Sequence, residues 1–213
     1  MNLLQQLSEH LFSGDVQKVS ELTQQAVREK IPPRDVLDRG LLAGMSLVGE
    51  KFRDHEIFLP DVLLAAKAMY AGLGILKPLM IQENVPTMGK VVIGTIQGDL
   101  HDIGKNLVGI MLRGAGFDVI DLGNDVSPER FISTAESQQA DVIGMSALLT
   151  TTMPGMKTVV DLAKERHLYG KVKIIVGGAP LSSDYAKEIG ADAYCFDGMN
   201  AVETVKSLVE RRA

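Results

Sequence analysis

Cysteine is almost absent from this sequence, and that absence limits the kinds of site the chain can build. Cys195 is the single cysteine, so the chain has no intramolecular disulfide and no zinc site made from cysteine pairs. Clustered positive charge is also lacking, because 22 lysines and arginines face 27 aspartates and glutamates, for a net charge of −5 without a dense basic segment. These absences fit a reducing compartment and argue against a nucleic-acid partner.

Signals for secretion or membrane insertion are lacking as well. The first seven residues have no basic stretch leading into a long apolar core, which a signal peptide requires. No uninterrupted apolar run approaches the ~18 residues of a membrane span. We therefore expect a cytoplasmic protein without membrane contact. With 213 residues, 46% of them hydrophobic and 23% charged, the composition is that of one large or two small globular domains.

The first 82 residues or so have the pattern of helices. Apolar residues recur at helical spacing, as in Leu3, Leu7 and Leu11. Asp15 is suited to cap one helix, and Pro60 is suited to the first turn of another. The pattern predicts four helices near 2–12, 15–29, 34–52 and 60–81. Short amphipathic helices bury their apolar faces against one another, so we predict a four-helix bundle.

The pattern changes after the segment 84–88, where Pro86 suggests a hinge between two domains, 1–84 and 88–213. Compact apolar runs then alternate with helical stretches, which predicts a parallel sheet with helices on both faces, of the flavodoxin-like or Rossmann-like type. Ligands of such sheets bind beyond the carboxyl ends of the strands. The five predicted strands lie near 90–95, 118–121, 141–146, 173–177 and 193–195.

The loop after the first predicted strand does not fit the common phosphate sites. A P-loop needs four residues between its glycines and a Ser or Thr after the lysine, but five residues separate Gly98 from Gly104, and Asn106 follows Lys105. The glycines also miss the spacing of a dinucleotide-binding fingerprint. A phospho-receiver would carry an aspartate at the end of the third strand, where Ser146 stands.

What remains in this loop is the pattern Asp99-x-His101-x-x-Gly104. An aspartate can bind one ring nitrogen of a nearby histidine and leave the other nitrogen free for a metal, as is typical of metal-ligating histidines. Alternatively, His101 only satisfies backbone groups of its loop. The other histidines lie in separate segments, so a metal that brings most of its own ligands suits this loop better than zinc or iron.

Three motifs in order make the chain resemble the corrinoid proteins of methyltransferase systems of the methylamine, methanol and methoxyaromatic type, and the cobalamin-binding module of methionine synthase. The resemblance extends over nearly the whole length. The motifs are Asp-x-His-x-x-Gly within 98–106, the Ser-x-Leu segment at 145–150 and the Gly-Gly motif at 177–179.

The resemblance implies a cobalamin or related cobamide, which carries methyl on cobalt and is bound base-off with His101 as the metal ligand. Asp99 would orient His101 and hold its proton, and Thr152 would stand where methionine synthase has a serine in this relay. The implied cofactor-binding residues are Gly98, Asp99, Leu100, His101, Asp102, Ile103, Gly104, Ser146, Leu148, Thr150, Thr152, Gly177, Gly178 and Ala179.

In the helical third, Val48–Phe52 and Phe58–Pro60 resemble the four-helix cap of these families. The resemblance implies that Phe52, Leu59 and Val62 cover the upper, methyl-bearing face of the corrin. The alternative for each of these three residues is ordinary bundle core, which periodicity alone favours.

The implied function is that of a methyl carrier between two methyltransferases, not of a complete enzyme, because no chain length remains for a donor-binding barrel of ~250 residues. The implied partners are a substrate-specific methyltransferase, an acceptor methyltransferase using a thiol or a tetrahydrofolate-type acceptor, and a corrinoid reactivation protein. Two rivals stay open: a cobalamin-binding sensor without methyl turnover, and the corrinoid subunit of a mutase. The sequence does not specify the methyl donor.

Overall fold

The computed structural model describes residues 2–83 and 87–210. The chain divides into two compact units, Met1–Pro86 and Thr87–Ala213. Residues 84–86 of the segment expected to act as a hinge, 84–88, lie outside the described residues. The predicted fold class, a helical region followed by an α/β domain with a five-stranded parallel sheet, is confirmed.

The first unit is helical, and side-chain caps begin its first two helices. Asn2 accepts a hydrogen bond from the backbone N–H of Gln5, and Asp15 accepts one from that of Lys18. Such caps satisfy N–H groups that have no partner within the helix. The elements are α1 Leu3–Phe12, α2 Val16–Arg28, α3 Pro33–Val36, a π-helical segment Leu37–Leu42, α4 Ala43–Arg53 and α5 Leu59–Gln82.

The third predicted helix differs from expectation, because a π-helical segment interrupts it between α3 and α4. Gly40 lies in this segment, and a Cβ on it would collide with the side chain of Leu7 on α1. The helix therefore packs closely on α1 at its π-helical segment, and a glycine there permits the approach.

The long helix α5 has one strongly buried face. Val62, Ala65, Met69 and Leu76 are almost inaccessible to solvent and recur at helical spacing. By length and composition alone, Leu59–Met80 is apolar enough to cross a membrane, with a mean hydropathy of 1.4. Because α5 packs against α2 and α4 along its buried face, it has the features of a bundle core helix, which meets the same criterion.

The second unit is a parallel sheet in the strand order β2-β1-β3-β4-β5, with helices between successive strands. Its strands are β1 Lys90–Thr95, β2 Asp118–Asp121, β3 Val142–Ser146, β4 Lys173–Gly177 and β5 Ala193–Cys195. Its helices are α6 Ile103–Gly114, α7 Pro128–Gln138, α8 Pro154–Glu165, α9 Ser183–Ile189 and α10 Gly198–Glu210.

The register of the strands aligns their carboxyl ends. Thr95 pairs with Ser146, Ser146 pairs with Gly177, and Gly177 pairs with Cys195. The central strands are apolar on both faces, as a sheet covered by helices requires. The loops that follow β1, β3 and β4 therefore leave the sheet along one edge.

Candidate functional site

Asp99 connects two of the loops at the carboxyl ends of the strands. Its side chain is fully buried just after β1, and its Oδ1 accepts hydrogen bonds from the backbone N–H of His101 at 3.0 Å and from the ring Nδ1 of His101 at 2.7 Å. Its Oδ2 accepts from the backbone N–H groups of Leu148 at 2.7 Å and Leu149 at 3.1 Å, and from Thr152 Oγ1 at 3.2 Å. One carboxylate thus joins the loop after β1 to the loop after β3.

The hydrogen bonds of Asp99 keep it ionised. Burial raises the pKa of this carboxyl, but the backbone N–H groups of His101 and Leu148, the His101 ring and the Leu149 N–H outweigh burial and hold the pKa well below its usual range. Five donors occupy both oxygens, about as many as a carboxylate can accept. Asp99 is therefore an anion at neutral pH.

The Asp99 carboxylate determines which nitrogen of the neutral His101 ring carries the hydrogen. A carboxylate can only accept, so Nδ1 carries the hydrogen that points to Asp99, and Nε2 of the neutral ring has a free lone pair. Across residues 2–83 and 87–210, no hydrogen-bond partner reaches Nε2. The His101 side chain is 54% exposed. Because Asp99 binds one ring nitrogen and the other is accessible, the arrangement is that of a metal-ligating histidine.

The Thr152 hydroxyl lies between two acceptors. Its oxygen is 3.2 Å from Asp99 Oδ2 and 2.9 Å from the carbonyl oxygen of Leu149. A hydroxyl has one hydrogen to donate, so it serves one acceptor at a time. Thr152 therefore lies at the position expected of the third member of the relay. Thr150, in the same loop, is exposed to solvent.

The glycines of the motifs differ in whether the surrounding structure would admit a larger residue. A Cβ on Gly178, whose φ is +137°, would overlap the backbone carbonyl oxygen of Ala147, and one on Gly177 would lie 3.0 Å from the carbonyl oxygen of Cys195. Gly98 has a φ of +84°. A Cβ on Gly104 would meet no atom within 4 Å. The chain's own fold therefore accounts for Gly178, whereas packing within the described residues gives no reason for a glycine at 104.

Large apolar side chains surround His101 and face solvent. Leu100 is 68% exposed, Ile103 is 72% exposed and Leu148 is 44% exposed. Leu149 and Phe196, two residues that the sequence analysis did not select, are also exposed after β3 and β5. Exposed apolar residues gathered at one edge mark a binding surface for an apolar ligand. The remaining predicted residues of this edge are Asp102 at the start of α6, Ser146 at the end of β3 and the exposed Ala179 after β4.

The residues predicted in the helical unit divide into two groups. Phe52 near the end of α4 and Leu59 at the start of α5 are partly exposed. Val62 is fully buried and shares the core face of α5 with Ala65 and Met69. This burial fits the bundle-core alternative for Val62, and contact of Val62 with a cofactor stays a prediction.

Protein side chains alone do not build a metal centre here. Among residues 2–83 and 87–210, no group of three His, Cys, Asp or Glu side chains could hold a metal ion. His101 is therefore suited to a metal that brings its other ligands with it.

Several polar residues of the site escaped the sequence analysis. Thr95, Asn124 and Asp125 make hydrogen bonds to the His101 loop. Lys105, a buried lysine on α6, pairs with Asp121 at the end of β2. The position of Thr95 at the last residue of a predicted strand was a usable signal. No local sequence pattern could have identified Asp125, because its role depends on a contact between two loops that are distant in the sequence.

Comparisons with known proteins identify the family to which both units of the chain belong. A model of the B12-binding domain matches residues 89–206, and a second B12-binding model matches residues 3–77. A corrinoid protein of Desulfitobacterium hafniense (strain Y51) is 42% identical over 212 residues, 98% of each chain. The dimethylamine corrinoid protein of Methanosarcina barkeri is 44% identical over 208 residues, 97% of each chain.

Solved structures show the same fold. A chain of the methanol:cobalamin methyltransferase complex MtaBC from Methanosarcina barkeri matches with a TM-score of 0.88 and 31% identity, covering 98% of this chain and 80% of that one. A cobalamin-binding protein from Desulfitobacterium hafniense DCB-2 matches with a TM-score of 0.78 and 26% identity, covering 98% of both chains.

The chain belongs to the family of corrinoid proteins with B12-binding domains that serve methylamine and methanol methyltransferase systems. The resemblance drawn from the sequence is thereby confirmed. The B12-binding domains and the corrinoid-protein relatives support binding of a cobamide by this chain.

Proposed function

We propose that this protein carries a methyl group on the cobalt of a bound cobamide, from a substrate-specific methyltransferase to a second methyltransferase with a thiol or tetrahydrofolate-type acceptor. The observation that supports this most directly is the Asp99–His101 pair, in which Asp99 occupies Nδ1 and leaves Nε2 free. In this proposal the cobamide is bound base-off, with His101 Nε2 as the lower ligand of the cobalt.

The residues of the edge fit a corrin ring. The flat face of the macrocycle is largely apolar, so it needs an apolar surface around the ligand, and Leu100, Ile103 and Leu148 would supply one. It also needs space close to the backbone, and Gly104 leaves that space open. Ser146, Thr150, Gly177, Gly178 and Ala179 would border the displaced nucleotide tail, together with Gly98 and Asp102.

When bound, the corrin supplies a cobalt that accepts and releases the methyl group. The chain's own residues hold the ligand and its proton. Asp99 fixes the ring through Nδ1 and remains ionised, because its oxygens already accept five hydrogen bonds. When Nε2 does not coordinate, its lone pair is where the pair would take up a proton, because Nδ1 already carries a hydrogen and the pKa of Asp99 is lowered.

Phe52 and Leu59 are proposed to shield the methyl-bearing face. Both are partly exposed apolar residues on the helical unit. Phe52→Ala is then expected to leave cobamide binding largely intact but to speed aerobic oxidation of reduced cobalt. Equal oxidation rates in variant and wild type, with loss of bundle stability alone, would assign Phe52 to the bundle core.

The proposed partners are the two methyltransferases and a corrinoid reactivation protein, and the proposed location is the cytoplasm. The dimethylamine and methanol systems named for relatives make methylamines and methanol the first donors to test. The chain is proposed to act as a carrier component and not as a complete enzyme.

The ligand assignment is tested by paramagnetic resonance of the cobalt(II) form. Wild type is expected to show splitting from one histidine nitrogen, and His101→Ala to lose it. His167→Asn is the matched control, because His167 has a φ of +57° that asparagine tolerates and it lies outside the site. Splitting that survives His101→Ala would refute the assignment.

The carrier role is tested by mixing the cobamide-loaded protein with methylamine- and methanol-specific methyltransferases and their donors. A low-potential chemical reductant is added under anaerobic conditions to bring the cobalt to cobalt(I), the state that can take up a methyl cation. The spectrum of the bound corrinoid should then change to that of its methylated form, and a thiol-dependent methyltransferase should reverse the change. A protein that binds cobalamin tightly but is methylated with none of these partners would support the sensor role instead.

A further inference from the structure

Four consecutive residues of the loop that carries His101 are fixed by groups outside the loop. Gly98 donates its backbone N–H to Asp125 Oδ1 at 2.8 Å, and the carbonyl of Asp99 accepts from the Asp125 N–H at 3.1 Å. The carbonyl of Leu100 accepts from Asn124 at 3.4 Å, and that of His101 accepts from Thr95 Oγ1 at 3.1 Å. The histidine loop is thus attached along its whole backbone, apart from the side-chain bonds of Asp99.

Asp125 binds the start of this loop through both its backbone N–H and its side-chain carboxylate. Its backbone has a φ of +51°, a left-handed conformation that aspartate and asparagine tolerate better than most residues. In that conformation its N–H and its carboxylate both meet the loop, at Asp99 and at Gly98. The segment around Asp125 is itself held to β1, because Val126 N–H donates to the carbonyl of Thr95.

Thr95 makes the attachment at the other end. It is the last residue of β1, it is fully buried, and its hydroxyl donates to the carbonyl of His101. Its backbone N–H also donates to the carbonyl of Gly123. The carbonyl of His101 is therefore tied to β1, an inner strand of the sheet that pairs with β2 on one side and β3 on the other.

We infer that Thr95 and Asp125 are positioning residues that hold the His101 loop in its ligating geometry before a cobamide binds. The inference rests on the proposed function, because it assumes that His101 Nε2 is the ligand. A loop ordered in advance loses little conformational entropy when the metal binds. The position of Nε2 before a cobamide binds is then set by the hydrogen bonds that attach the loop to the sheet.

The test uses two pairs of variants of the full chain, each with a conservative partner. Thr95→Val keeps the shape of the side chain but removes its donor, whereas Thr95→Ser restores the donor. Asp125→Ala removes the acceptor for Gly98, whereas Asp125→Asn keeps an acceptor oxygen and tolerates the left-handed backbone.

Two measurements are made on each variant. In protein without cofactor, amide hydrogen exchange at Gly98 should accelerate about fivefold to tenfold in Asp125→Ala, the effect of one lost hydrogen bond. The amides of Leu148 and Leu149, which bind Asp99, should keep their rates and serve as internal references. With cobalamin bound, the fraction of cobalt(II) that shows histidine nitrogen splitting should fall in Thr95→Val and Asp125→Ala.

The inference is supported if Thr95→Ser and Asp125→Asn restore the wild-type fraction. It is overturned if Thr95→Val and Asp125→Ala show wild-type splitting and wild-type cobalamin affinity. If wild type itself shows no histidine splitting, the proposed function fails and not this inference alone. Because Asp125 is solvent-exposed, its variants are expected to fold. Asp125→Ala and Asp125→Asn therefore test the inference even if Thr95→Val does not fold.

Discussion

The loops after β1 and after β4 both carry motif glycines, but the two loops depend on them for different reasons. After β4, Gly178 has a positive φ, and the Ala147 carbonyl occupies the space that a side chain would need. After β1, the open space beside Gly104 has no protein atom to fill it, and the loop is fixed by hydrogen bonds to Asp99, Thr95 and Asp125. A motif glycine can therefore serve the fold in one loop and leave room for a ligand in another.

The difference changes how the Gly-Gly motif is interpreted. The resemblance implied that Gly177 and Gly178 allow a cobamide tail to approach the backbone. The Ala147 carbonyl beside Gly178 and the Cys195 carbonyl beside Gly177 already require small residues there. Substitution at Gly178 is thus a test of folding, and Gly104 is the position that tests cofactor contact.

The largest expected effect is that of Gly178→Val on folding. The new side chain would overlap the Ala147 carbonyl and take an unfavourable φ of +137°, so we expect the free energy of unfolding to fall by more than ~4 kcal/mol. Urea unfolding of the protein without cofactor measures this loss. Stability within ~1 kcal/mol of wild type would mean that the loop moves aside, and the contrast between the two loops would disappear.

The second-largest effect is the decrease in unfolding free energy when Asp99 is replaced by an uncharged residue. In Asp99→Asn the amide group cannot accept from all five donors, so we expect a loss of about 2–3 kcal/mol at pH 7. Because folding lowers the pKa of Asp99, its contribution is complete above the ordinary aspartate pKa of ~3.9 and decreases as the pH falls below it.

Urea unfolding at several pH values compares the two proteins. The stability difference between wild type and Asp99→Asn should shrink as the pH falls below the ordinary aspartate pKa of ~3.9. Asp161→Asn, at a partly exposed position on α8, is the control, with a small effect throughout. A difference that does not shrink between about pH 4 and about pH 2 would contradict the assignment of Asp99 as a buried anion.

The third effect separates folding from binding at Gly104. Gly104→Val adds the same side chain as Gly178→Val, but into open space. We expect unfolding free energy within ~0.5 kcal/mol of wild type and cobalamin affinity at least about tenfold weaker, or ~1.4 kcal/mol. Isothermal titration calorimetry and urea unfolding measure the two quantities. Unchanged affinity would remove Gly104 from the proposed contact surface.

The smallest effect concerns Thr152. Thr152→Val removes one of five donors to Asp99, so we expect a loss of about 1 kcal/mol in unfolding free energy. Thr152→Ser should be close to wild type, because it keeps the hydroxyl. Thermal unfolding of the three proteins is sufficient to compare them, and a larger loss for the serine variant than for valine would exclude the hydroxyl as the cause.

The sequence predicted the α/β unit more fully than the helical one. Buried parallel strands have compact apolar runs, and the motif around His101 follows one of them, so both the sheet and the candidate ligand were visible in the chain. The sequence could not decide between core and cofactor contact for Val62, because a core position and a cofactor-facing position have the same residue type and the same helical spacing. Asp125 was missed because its role depends on contacts across 27 positions, which no local pattern contains.

The exposed leucines and isoleucine near His101 should affect the heat capacity change when a corrin binds. Water that covers Leu100, Ile103, Leu148 and Leu149 would be released when a corrin ring covers them, and release of water from apolar surface lowers the heat capacity of the complex. We therefore expect the binding enthalpy to become more negative as temperature rises. Calorimetry at several temperatures would show how much of the affinity comes from these side chains and how much from the bond to a single nitrogen.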